Sequence, residues 1–138
     1  MTRMALVVLL SLFLPHAAAA QQCLHGADES ADQKVRRQAA VGATRQVNTL
    51  QANRPDARKG IYLDQTEIAS WYAAQTTKTG AATPYNFEPG GEIVPGWQLT
   101  LNKTENGYWF MIKDKTDPCG FSLISNQAGL IYNAEPMR

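Results

Sequence analysis

Reactive side chains are scarce in this chain. Its 138 residues hold two cysteines, Cys23 and Cys119, and two histidines, His16 and His25. A zinc site takes three or four Cys and His ligands, and so small a stock cannot comfortably supply one. No Gly-x-Ser-x-Gly elbow, phosphate-cradling loop or dinucleotide fingerprint occurs, and no cofactor is implied. An excess of one charge is lacking too: 13 Lys and Arg stand against 12 Asp and Glu, with no basic run. That balance excludes the electrostatic footprint of a nucleic-acid or anionic-membrane surface. No apolar run approaches the roughly 20 residues that a membrane-crossing helix takes.

What is present starts with the first residues. Arg3 gives a basic start, Met4 to Pro15 a short apolar core, and Ala18-Ala19-Ala20 a small-residue end. Together these read as a secretory signal peptide over 1–20. Cleavage after Ala20 leaves 21–138 as a single secreted or periplasmic α+β domain with one core. In an oxidising compartment an even cysteine count reads as a disulfide, Cys23 to Cys119; free thiols or an intermolecular bridge are the alternatives. The bridge closes a loop of about 95 residues, which on the chain-entropy account adds roughly 4 to 5 kcal/mol. It fastens an N-terminal arm to a turn between two late strands. Cys23-Leu24-His25 offers a thiol near a base, but no third group in the arm orients the pair for catalysis.

The stretch that organises the rest runs from Ser30 to Arg54. Ser30 can cap a first turn while Gln33 reaches back to the amide of the cap. Val35, Ala39, Ala43, Val47 and Leu50 recur every three or four residues and predict one apolar stripe. Asp28, Glu29 and Asp32 suit the positive end of the helix dipole, and Pro55 ends the helix. Asp64 and Glu67 repeat the capping spacing ahead of a short second helix with Ile68, Trp71 and Tyr72 on one side. From Thr76 to Gly96 helical signals vanish among Thr, Gly and Pro. That segment reads as a long loop with at most a short edge strand.

The last third is strand-like. Trp97 to Lys103 alternates apolar and polar residues, and Asn106-Gly107 is a strong two-residue hairpin signal. Tyr108 to Lys113, Phe121 to Ser125 and Leu130 to Tyr132 complete a four-stranded antiparallel meander with the long helix as its cover. A turn centred on Asn106-Gly107 sets Lys103 opposite Phe110 and Leu101 opposite Ile112.

A helix, an irregular connector and such a meander resemble the head of type IV pilins and pseudopilins. Val47-Asn-Thr-Leu-Gln51 is similar to the apolar-Asn pattern of that helix. Gly120-Phe-Ser-Leu-Ile-Ser-Asn-Gln-Ala-Gly-Leu-Ile-Tyr132 is similar to its closing hairpin, so the likeness spans about residues 30 to 133. The family's leader glycine and the glutamate five residues into its mature chain do not occur between Thr2 and Ala20. The resemblance therefore implies a head without the stalk that packs inside a filament.

Few side chains are placed to do chemistry. Asp114 and Asp117, with Thr116, can offer oxygens to Ca²⁺, and the resemblance implies calcium in a late loop of some such heads. The simpler reading makes them turn formers with Pro118. Glu88 and Glu92 flank a Pro-Gly-Gly loop as solvated charges. Asn102-Lys-Thr104 fits a glycosylation sequon. Trp109 and Met111 fall on the sheet side away from the helix, with Asn102. The expectation is that the 76–96 connector folds over them; left bare, they would form a contact patch for a protein or a sugar. The function that follows is a non-catalytic, pilin-like binding or accessory domain, or alternatively a small secreted protein that binds or inhibits an enzyme.

Overall fold

The computed structural model describes residues 23–80 and 84–135. The expected leader and its cleavage point lie outside them. Helix α1 spans Ala31–Ala52, a 3-10 turn Pro55–Lys59, and helix α2 Gln65–Thr79. Strands β1 (Glu92–Val94), β2 (Trp97–Lys103), β3 (Tyr108–Asp114), β4 (Ser122–Asn126) and β5 (Ile131–Ala134) follow. They form one antiparallel sheet in sequential order. The α+β class stands, but the sheet has five strands, not four. The extra strand, β1, is three residues long and held by β2 across an irregular register, too brief for a periodicity to show.

Both helices begin with the expected capping box. Ser30 Oγ accepts from the Gln33 amide while Gln33 Oε1 accepts from the Ser30 amide; Asp64 and Glu67 do the same for α2. Helix α1 stops at Ala52, two residues short of Arg54, because the proline forces Arg54 into extended geometry at ψ 142°. Helix α2 continues to Thr79, past the point where Thr-rich sequence reads as loop. There the hydroxyls of Thr76, Thr77 and Thr79 bond back to carbonyls of the preceding turn. Gly80, in left-handed geometry at φ +64°, then ends the helix.

The apolar stripe of α1 is rotated from the one its spacing suggests. Ala40, Ala43, Val47 and Leu50 are buried with Thr44 and Gln51, while Val35 is 65% exposed and Ala39 faces solvent. The core lies between α1, α2 and one sheet face, around Trp97, Leu99, Phe110, Ile112 and Leu123. Phe87, Ile93 and Val94 join it, so the connector packs on the helix side. Two amides tie the layers. Gln51 donates to the Leu63 carbonyl (2.7 Å) and accepts from its amide (2.9 Å). Asn48 donates to Ser125 Oγ and accepts from the Tyr108 hydroxyl, whose ionisation burial pushes up to about 12.

The β2–β3 hairpin turns one residue earlier than expected. Lys103 pairs with Tyr108, Leu101 with Phe110 and Leu99 with Ile112, so every partner is shifted by two. Because the shift is even, each side chain keeps its predicted face. The amide of Thr104 donates to the Gly107 carbonyl, placing Glu105 and Asn106 at the tip. Gly107 does not take positive φ; a Cβ there would sit 2.9 Å from Gln127 Cδ, at the end of a flexible side chain.

Candidate functional site

Two places stand out: a buried polar seam beneath the disulfide, and the open face of the sheet. Cys23 and Cys119 are bridged, with Cα atoms 5.2 Å apart. The bridge sets residues 24–29, ahead of α1, against the β3–β4 turn. His25 turns inward and is 4% exposed, with its ring 4.4 Å from that of Phe121. Its Nδ1 lies 2.6 Å from Glu29 Oε1 and its Nε2 lies 2.9 Å from Asp114 Oδ2. Arg37 grips Glu29 through Nε and Nη2 at 2.8 to 3.1 Å. Arg36 reaches Asp114 Oδ1 at 3.4 Å and Thr116 Oγ1 at 3.1 Å.

The surroundings hold all three carboxylates ionised. For Glu29 the Arg37 hydrogen bonds dominate; they outweigh burial and, with His25, hold its carboxyl below the ordinary value. At Asp114 burial is the largest influence and opposes ionisation. Hydrogen bonds from His25 and Thr116 and the charge of Arg36 together overcome it. Asp117 is also buried against its charge, yet the amides of Leu24, Phe121 and Cys119 all donate to it and leave its carboxyl low.

Both ring nitrogens of His25 face carboxylate oxygens, while Arg37 and Arg36 set their charges against Glu29 and Asp114. Each ring nitrogen is engaged inside the seam, and the contacts fasten the arm to the β3–β4 turn. The oxygens of Asp114 and Asp117, named as calcium candidates, are already engaged by these donors. Among the described residues no group of three or more His, Cys, Asp or Glu is placed to hold a metal ion.

Sequence reasoning placed Glu29 only as a helix-end acid and left His25 in an extended arm. His25 and Glu29 lie four apart in a non-helical turn, where that spacing carries no signal for the pair. Asp114 lies 89 residues from His25, and only the 23–119 bridge pointed to their meeting.

On the other side of the sheet, register sets Asn102, Trp109 and Asn126 in one row and Thr100, Met111, Ile124 and Tyr132 in the next. Among the described residues the expected cover does not close over Trp109, which is 44% exposed; Met111 and Asn102 are half-buried. The connector is held elsewhere by Phe87 and Ile93 in the core. Of the five large apolar side chains left exposed among the described residues, Trp109, Tyr132 and Leu130 lie on this face or at the mouth of β5. A separate groove of about 560 Å³ runs between α2 and the connector, lined by Tyr72, Thr76, Tyr85, Phe87 and Glu88. Glu92 on its rim is tied to the Gly96 amide and Lys115. No helix among the described residues is long and apolar enough to cross a membrane.

No protein-family model, curated protein or solved structure matches the chain.

Proposed function

We propose that this chain is an exported, non-catalytic binding domain. It has the helix-and-meander plan of a pilin head and serves as an adhesive or accessory part of an envelope assembly. The observation that carries this reading is the outer face of the sheet, where exposed Trp109 and Tyr132 adjoin half-buried Met111 and Ile124 and the described part of the connector packs on the opposite side. Contiguous exposed apolar side chains mark contact surfaces. Amides at Asn102 and Asn126 flank Trp109 and give a protein partner hydrogen-bonding groups around an aromatic anchor, the usual make-up of an interface centre. The disulfide supports export, since such bridges persist in oxidising compartments. The seam around His25 supports a non-catalytic role, because its polar atoms are spent on one another.

The test is a pull-down from envelope extract with the wild-type chain and with Trp109→Ala and Val35→Ala. The expected result is a protein captured by the wild type and by Val35→Ala and lost with Trp109→Ala, whose melting temperature stays within a few degrees. Capture that survives Trp109→Ala removes the outer face from the proposal. A captured enzyme whose activity the domain suppresses would replace the accessory role with an inhibitory one.

A further inference from the structure

The two edges of the sheet are treated differently. At one end β1 is three residues long, its register with β2 is irregular, and Pro95 follows it. The connector also covers it: the Asn86 amide donates to the Ile93 carbonyl at 3.1 Å. Glu92 and Lys115 add a charge pair there. These are the devices by which an edge avoids pairing. At the other end β5 is also short, at four residues, and Glu135 and Pro136 follow it in sequence, but its register with β4 is regular and no described connector lies along it. Ile131-Tyr132-Asn133-Ala134 contains no proline and no charge, and among the described residues no backbone group outside β4 bonds to it. Tyr132 is 54% exposed, and Leu130 just before it 58%.

We infer that β5 pairs edge to edge with β5 of a second copy of this chain, antiparallel about a two-fold axis at Tyr132. The backbone groups that β4 leaves unpaired specify an extended strand as the occupant, and three features of the segment favour its own copy. Pairing about Tyr132 sets Ile131 opposite Asn133 and Leu130 opposite Ala134, so no like charges meet; Glu135 falls beyond the paired stretch. Tyr132 meets its own equivalent on the outer face, where an aromatic pair is favourable. The apolar row from Met111 through Ile124 to Tyr132 then continues into the same row of the second copy. A self-complementary patch related by a two-fold axis closes into a dimer and leaves no further edge, because each β1 is already protected.

The inference is independent of the protein that the outer face engages. It is tested by sedimentation velocity on the oxidised chain over a hundredfold range of concentration, with Tyr132→Lys and Tyr132→Glu as charge-swap variants. Wild type should shift from monomer to dimer as concentration rises. Each variant alone sets like charges opposite each other and should dimerise at least tenfold more weakly, with an unchanged far-UV spectrum. An equimolar mixture of the two should restore the dimer, because Lys then faces Glu across the axis. A wild type that stays monomeric throughout overturns the inference, whether or not another protein's strand takes the edge. So does a mixture that associates no better than its components.

Discussion

At the scale of single residues, the seam around His25 sets how the fold answers acid. Glu29, Asp114 and Asp117 all have carboxyl groups held below their ordinary values. A carboxylate whose folded value is depressed contributes stability that is fully present above its unfolded value, near pH 4, and is lost as pH falls through the folded one. The melting temperature should therefore stay level from pH 7 to about 5 and fall steeply below about 4. Asp114→Asn keeps the shape but leaves His25 and Arg36 facing an amide. Breaking a buried pair in this way costs about 3 kcal/mol, and it should also flatten the acid limb of the curve. Thermal melts of both proteins between pH 2 and 7 check this; parallel acid limbs would mean that Asp114 is not among the groups that titrate on unfolding.

Individual elements were legible where a local rule decides them. Ser30 with Gln33, Asp64 with Glu67 and the stop before Pro55 all rest on neighbours within a turn; the caps stand where sequence put them, and the stop falls two residues early. The face of α1 was legible only in its second half. Val35 and Ala39 fit the apolar spacing, but Arg36 and Arg37 are drawn to Asp114 and Glu29, partners that no helical periodicity encodes. β1 was legible as a short edge strand within the 76–96 segment, but its length and the prolines around it left its bounds open and kept it out of the four-strand count. The hairpin tip was misplaced because Asn-Gly suits a turn with two positive φ angles, whereas here the tip is Glu105-Asn106 and Gly107 is not in left-handed geometry. That difference is measurable. In the expected turn Gly107→Ala would force a left-handed alanine and cost more than about 1 kcal/mol. In the observed hairpin the obstacle is the far end of Gln127, which can swing away. The urea midpoint of Gly107→Ala should give a loss under about 1 kcal/mol; a larger one would restore the earlier turn.

At the scale of the whole molecule, two fastenings of different kind close the same join. The bridge links residues separated by 96 positions, and the charge seam lies directly beneath it. Replacing Cys23 and Cys119 by Ser should cost about 3 to 4 kcal/mol, most of it by freeing the unfolded chain. The two losses should not add. With the bridge intact the arm cannot leave, so Asp114→Asn forces His25 to stay buried against a neutral amide. With the bridge gone the arm can swing out, hydrate His25 and Glu29, and escape part of that penalty. Asp114→Asn should therefore cost at least about 1 kcal/mol less in the Cys-free background, an interaction energy of the size expected for groups that share one structural element. Urea unfolding of the wild type, Asp114→Asn, the double Ser variant and the triple variant closes the cycle. Strict additivity would show that the bridge and the seam hold separate parts of the fold, and that the arm stays docked without its sulfur link.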